Sequence, residues 1–206
     1  MSAASTPLTL IVAATHTLGI GKNGSLPWRL REDLSYFSRV TKRTSITATR
    51  QNALIMGRKT WDSLPSEFRP LPHRINVVMS RREKLEPGGG GGGGRGGAYI
   101  AGSLDEALSI IDSIGGGPAN KLFVIGGAQV YAAALAHTRA TSVLMTTVQG
   151  EFDCDTFFPV DVRDPGSGWV KKSNEELSDF VGEDVPEGVQ EGEDGIKYEF
   201  ELYQRP

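Results

Sequence analysis

The chain has 206 residues, with 22 Lys and Arg against 25 Asp and Glu, for a net charge of -3. That length suits one well-buried core better than two, so a single domain over 1–206 is expected; the acidic balance removes the electrostatic reason to expect nucleic acid as a partner. The lone cysteine, Cys154, excludes an internal disulfide, reads as a small buried hydrophobe and suits a reducing compartment.

The first strand is expected over 8–14. Its apolar run is far too short to cross a bilayer and lacks the basic flank of a secretory leader, so a cytoplasmic protein without membrane contact is expected. Gly19-Ile20-Gly21-Lys22-Asn23-Gly24-Ser25-Leu26-Pro27-Trp28 follows. Three glycines and an Asn-Gly pair specify a loop that can change conformation and bring backbone close to a ligand. An ordinary strand-to-helix connection is the plainer reading, but a large aromatic in a loop needs something to pack on. A helix over 31–42 places Leu30, Asp33, Leu34, Phe37 and Val40 on one apolar stripe. Asp33 lies on it one turn before Phe37; a partly exposed acid favoured by the helix dipole is the alternative.

A strand over 53–57 ends in Gly57-Arg58-Lys59-Thr60, where a short helix begins. Glycine, two cations and a hydroxyl at a helix start suit a phosphate. The strand over 74–80 ends in the same way, with Ser80-Arg81-Arg82. Residues 88–97 are glycine except Arg95, which reads as a flexible surface loop. A strand over 98–101 leads into a helix over 103–113, opened by a Ser103…Glu106 capping box. The apolar strand over 120–125 meets a helix over 127–137 through Gly126-Gly127, a junction where only glycine lets backbone approach a cofactor closely. The common dinucleotide fingerprint is absent there. Strands over 141–149, 169–176 and 196–204 complete the chain, the last of them antiparallel. Residues 174–195, with nine carboxylates and no Lys or Arg, read as a solvated acidic loop. The fold class is therefore α/β, a mostly parallel eight-stranded sheet with an antiparallel C-terminal strand and about four flanking helices. His16, His73 and His137 lack metal-ligand spacing, so no metal is expected.

In this order the strings Ile11-Val12-Ala13-Ala14, Gly19 to Trp28, Asp33 to Phe37, Met56 to Trp61, Arg69-Pro70-Leu71 through Arg74, Ser80-Arg81, Ile125 to Tyr131 and Asp155-Thr156-Phe157-Phe158-Pro159 closely resemble dihydrofolate reductases. The resemblance spans residue 8 to about 204 and is nearest the longer eukaryotic, particularly fungal, members. It implies NADPH-dependent reduction of dihydrofolate to tetrahydrofolate for one-carbon metabolism, with hydride passing to pterin C6 while N5 takes a proton. Dihydrofolate, folate-like molecules and antifolate inhibitors would be its small-molecule partners, and the protein would be a monomer.

The same resemblance assigns residues. Asp33 would be the pterin-binding acid, Thr146 the hydroxyl supporting it, and Leu26 and Trp28 part of the catalytic loop. Ile11, Val12, Leu34, Phe37, Leu64, Ile125 and Tyr131 would surround the substrate, with Arg74 clamping its glutamate α-carboxylate. Arg58, Lys59, Thr60, Ser80 and Arg81 would hold NADPH phosphates, with Gly57 and Met79 beside them. Ala13, Ile20, Gly21, Gly24, Ser25, Gly126, Gly127, Ala128, Gln129, Val130 and Tyr131 would line the rest of the cofactor, and the Gly126-Gly127 peptide would be cis. Gly102 stands where animal members carry a further basic residue. A pyrimidine reductase of riboflavin synthesis shares this fold but would not pair an inward Asp33 with an Arg74 clamp. An inactive nucleotide-binding regulator, or an RNA-binding module built on the glycine run, is set against by the intact Asp33, Thr146 and loop glycines and by the acidic charge.

Overall fold

A computed structural model describes residues 6–44, 49–81, 97–114, 119–192 and 195–205. In chain order the strands are β1 (Leu8–Thr15), β2 (Gly19–Gly21), β3 (Asn52–Gly57), β4 (Arg74–Met79), β5 (Tyr99–Ala101), β6 (Leu122–Val124), β7 (Ala140–Val148), β8 (Thr156–Phe157), β9 (Val170–Lys171), β10 (Gln190–Glu191) and β11 (Lys197–Gln204). The helices are α1 (Arg31–Lys42), α2 (Arg58–Ser63), α3 (Leu104–Ser113), α4 (Ala128–Ala136) and α5 (Asn174–Val181). The contacts group the chain into two compact units, Met1–Thr9 with Thr44–Ala140 and Leu10–Arg43 with Thr141–Pro206.

The first unit is a parallel sheet in the order β6-β3-β4-β5. Ala53, Leu54, Ile55 and Met56 are all fully buried, which is what a central parallel strand covered on both faces requires. Asn76 closes the approach to β4: its side chain accepts from the Leu71 N–H and donates to the Leu71 and Arg74 carbonyls. Half of the expected box caps α3: the Ser103 hydroxyl accepts from the Glu106 N–H, but the Glu106 carboxylate accepts from the Gly102 N–H and not from Ser103. It buries Leu104, Ala107, Leu108 and Ile111, the three-and-four spacing of one helix face. Of the glycine run only Gly97 lies within the described residues; it has φ +109 and closes on Pro70.

In the second unit the strand order is β10-β11-β7-β1, with β9 also pairing β11. β11 runs antiparallel to β7 over seven register pairs, among them Phe200 opposite Thr146. α1 has Glu32 and Asp33 in its first turn and Arg39 and Lys42 in its last, each sign at the helix end whose dipole favours it.

Two expectations are corrected here. The strand read over 169–176 is confined to Val170–Lys171, and the segment read as an acidic loop begins with α5, a fifth helix. The reason lies in Ser173 and Glu176, which form a reciprocal capping box, and in Leu177 and Val181, buried one turn apart. Local cap chemistry outweighs the solvated appearance of the carboxylates. The short pairing of β2 with β8 was likewise not read from the sequence. Elsewhere the α/β class and the antiparallel C-terminal strand are as expected. Among the described residues no helix is long and apolar enough to cross a membrane.

Candidate active site

The second unit holds an acid in a dry setting. Asp33 lies in the first turn of α1 and is only 9% exposed. The Thr146 hydroxyl, from the middle of β7, donates to its Oδ1 at 2.6 Å. Among the described residues no other hydrogen bond to this carboxyl is present, which leaves Oδ2 for a ligand. Burial pushes the carboxyl from its ordinary 3.8 up to about 6, and the Thr146 bond opposes that rise. The buried stripe of α1 differs in part from the one read in the sequence. Leu30, Asp33 and Val40 belong to it, but Tyr36 takes the place expected for Leu34 and Phe37. Leu34 is 54% exposed and Phe37 half-buried, so both sit on the flank of the helix that a ligand could reach. Tyr36 is instead stacked on Phe200 of β11, ring centroids 4.1 Å apart.

The glycine loop is a built structure. Lys22 and Ser25 exchange backbone hydrogen bonds around Asn23 and Gly24, whose φ values are +49 and +79. Positive φ at both central residues is the two-residue turn that Asn-Gly favours. Asp155 anchors it by accepting from the Asn23 N–H at 2.9 Å, a bond that holds this acid below its ordinary range, and Lys22 pairs with Asp153. Gly19 packs so tightly on Cys154 that a Cβ there would lie 2.4 Å from its Sγ, which accounts for the glycine. Ile20 and Gly21 are half-buried in β2, Ser25 lies at the turn, and Leu26 is exposed. Trp28 is buried, edge-on to Phe152 at 5.3 Å, and its indole N–H has no partner among the described residues. Ile11 and Val12 are buried in β1 and Ala13 is half-buried.

In the first unit the expected cofactor residues gather at the carboxyl ends of three adjacent parallel strands, where open α/β sheets bind ligands. Gly126 and Gly127 follow β6, Gly57 to Thr60 follow β3, and Ser80 and Arg81 follow β4. The Gly57 N–H donates to the Gly126 carbonyl at 2.7 Å, and that of Ile125 to Ile55 at 3.0 Å. A Cβ on Gly57 would press on Val130 at 3.1 Å. The Gly126-Gly127 peptide is cis. Gly126 has φ +113, and a side chain there would meet the Tyr131 ring at 3.2 Å. These contacts leave a backbone-lined edge that fits an extended cofactor. Ala128, Gln129, Val130 and Tyr131 form the first turn of α4. α2 has only six residues, so phosphate attraction at its start rests mainly on side chains. Arg58 is already paired with Asp62 at 2.6 Å, whereas Lys59 and Arg81 are exposed. Met79 ends β4 and Leu64 caps α2. Arg74, at the start of β4, is buried; burial lowers its guanidinium to about 10, still charged at neutral pH, and its Nε donates to the Pro72 carbonyl.

Comparison with known proteins places this α/β scaffold in a family. Residues 7–181 match the dihydrofolate reductase family. The dihydrofolate reductase of Pneumocystis carinii is 43% identical, covering 96% of each chain, and that of Gallus gallus 41% identical over the same shares. The structure of Schistosoma mansoni dihydrofolate reductase superposes with a TM-score of 0.77 at 29% identity, covering 98% of this chain and all of that one. The chain belongs to the dihydrofolate reductase family. It is accordingly an oxidoreductase that reduces dihydrofolate to tetrahydrofolate with a nicotinamide cofactor, and folates and antifolates are its ligands.

The sequence reading gave no role to Tyr36, Phe152, Asp155 or Phe200, although Tyr36 and Asp155 stood within the family-like strings. Tyr36 was legible as one helical turn beyond Asp33; the others depend on partners more than a hundred residues away.

The raised Asp33 carboxyl has a consequence for stability. A folded-state value near 6 against an ordinary 3.8 means the unfolded chain ionises first. The contribution of Asp33 to stability is therefore greatest below pH 4 and is lost as pH rises through 6, by about 3 kcal/mol. Asp33→Asn keeps an acceptor for Thr146 and removes this penalty. Urea unfolding of the ligand-free protein should find the variant more stable by up to about 3 kcal/mol at pH 7, with the advantage vanishing below pH 4.

Proposed function

We propose that this reductase takes NADPH in preference to NADH, that Asp33 is the acid binding the pterin ring, and that Thr146 fixes that acid in place. The observation that carries the reading is the Asp33–Thr146 pair, a buried carboxyl with one oxygen held at 2.6 Å and the other open to donors on a ligand. A pterin offers two such donors side by side, the 2-amino group and the ring N3–H. Accepting both satisfies a carboxylate that burial has stripped of water, and so favours its ionised form. When bound, NADPH supplies hydride to pterin C6. Asp33 contributes through the field of its charge and the orientation it imposes, and N5 receives its proton from solvent. Trp28 offers a buried indole N–H, and Leu26 belongs to the hairpin that would shield the reacting carbon from water.

In the second unit Ile11, Val12, Leu34 and Phe37 would contact the substrate, the last two from the exposed flank of α1. In the first unit Arg74 would pair with the substrate's α-carboxylate, with Leu64, Ile125 and Tyr131 as apolar contacts; a guanidinium suits that pairing because it can bond bidentately. Lys59, Thr60, Ser80 and Arg81 would bind the cofactor's phosphates, with Arg58 shared with Asp62. Gly126 and Gly127 would lie along the nicotinamide side with Ala128, Gln129 and Val130. From the second unit Ala13, Ile20, Gly21, Gly24 and Ser25 would contribute to cofactor binding. The protein is read as a single-domain cytoplasmic monomer needing neither metal, membrane nor nucleic acid, and serving one-carbon metabolism.

Two measurements check this reading. Asp33→Asn should lower turnover of dihydrofolate at least ~100-fold at pH 7, partly recover at low pH where solvent can protonate the substrate, and leave NADPH affinity unchanged. Near-normal turnover at pH 7 would shift attention to Glu32. At the cofactor end, removing a charge-assisted contact worth roughly 1.5–3 kcal/mol means that Arg81→Ala should raise KM for NADPH about tenfold or more. KM for NADH, which lacks the 2′-phosphate, should barely move, and equal effects on both cofactors would contradict a role for Arg81 in holding that phosphate.

A further inference from the structure

Three aromatic side chains gather on the side of α1 and β11 that carries Asp33 and its Thr146 partner. Phe200 sits opposite Thr146 in the β7–β11 register, and directly opposed residues of an antiparallel pair project from the same face of the sheet. The hydroxyl of Thr146 on that face reaches Asp33. Independently, Phe200 is stacked on Tyr36, which lies one helical turn beyond Asp33 on α1 and is 3% exposed. Tyr198, two residues along β11 and so on the same face, closes on Phe200 edge-on at 5.1 Å. Two separate routes, through the sheet and through the helix, thus bring the same ring to the carboxyl's surroundings.

We propose that Phe200 is a positioning residue for the reaction, forming with Tyr36 the apolar wall that keeps water from Asp33. The inference rests on the reading of Asp33 as the pterin-binding acid. Ring carbons cannot solvate a carboxylate, so a wall of them disfavours the charge until a ligand's donors arrive. The wall's only polar atom against α1 supports this: the Tyr36 hydroxyl is buried without a hydrogen-bond partner among the described residues, so it is not directed to Asp33 as a donor. The ionisable groups facing this region are few. Glu32 and Tyr36 come from α1 and Tyr198 from β11, while Glu183 is held by Arg39 and Arg43. Glu199 and Glu201 alternate onto the other face of β11, where Lys171 pairs with both. Burial, rather than a neighbouring charge, is the first cause of Asp33's raised carboxyl.

The experiment is a 13C-carboxyl NMR titration of the ligand-free, full-length protein, with the Asp33 signal assigned by its loss in Asp33→Asn. Phe200→Leu should lower the Asp33 midpoint by ~1 unit towards the ordinary value, while NADPH affinity stays that of the parent. Tyr36→Phe, which keeps the ring and drops the hydroxyl, should leave the midpoint in place. Should Phe200→Leu fail to fold, Tyr36→Leu opens the same wall from the helix side and should give the same downward shift. A folded variant of either kind with an unmoved midpoint overturns the proposal, as does a shift of equal size in Tyr36→Phe. Turnover keeps the two readings apart. If Asp33→Asn abolishes dihydrofolate reduction but Phe200→Leu leaves the midpoint unmoved, only the wall is refuted; if Asp33→Asn reduces dihydrofolate normally, the acid assignment itself fails.

Discussion

A carboxyl held dry beside a single threonine hydroxyl is the constraint on which the candidate substrate site depends. Asp33 is placed where α1 would otherwise bury a hydrophobe, and Thr146 supplies one hydrogen bond where a solvated carboxylate would have several. The arrangement costs stability at neutral pH, because the charged form is poorly served until a ligand arrives. With Asp33 as the proposed pterin-binding acid, that cost would also make the site selective. A ring presenting two adjacent N–H donors completes the carboxylate's hydrogen bonding, and a ring lacking them leaves a buried charge unsatisfied.

The cofactor end uses a different kind of chemistry. At the ends of β3 and β6 the absence of side chains does most of the shaping: Gly57 meets the Gly126 carbonyl, and Gly126 lies against the Tyr131 ring with no room for a Cβ. On the proposed reading, selectivity there would come from cations added at the edge, principally Lys59 and Arg81, so shape and cofactor preference could be altered separately. The substrate end would allow no such separation, since the proposed role of Asp33 joins binding, orientation and electrostatics.

Much of this was legible in the sequence because it depends on local pattern. The Gly126-Gly127 junction, the Ser103 cap and the cationic strand ends are each written within a few residues, and the ordered motifs tied them to one family. Asp33 was legible as the candidate acid, but its setting was only partly so. Tyr36 was hidden behind the more conspicuous Leu34 and Phe37, which the helix turns towards its flank. Phe200 could not be linked to Asp33 without the register that sets it opposite Thr146. α5 was obscured by its own carboxylates, although the Ser173…Glu176 box that caps it stands in plain view. The pattern of misses is physical: periodicity along a segment survives in sequence, and pairing between distant segments does not.

With Asp33 as the pterin-binding acid, its carboxylate should pair with a bound ligand as a charge. A 2,4-diaminopyrimidine, labelled with 13C at C2 and bound in the presence of NADPH, tests this directly, since the C2 shift reports whether the ring is protonated. The ring should remain a bound cation well above the pH at which it deprotonates in free solution, and should bind as the neutral form to Asp33→Asn. A ring bound neutral to the parent protein, or protonated alike in both, would contradict the account.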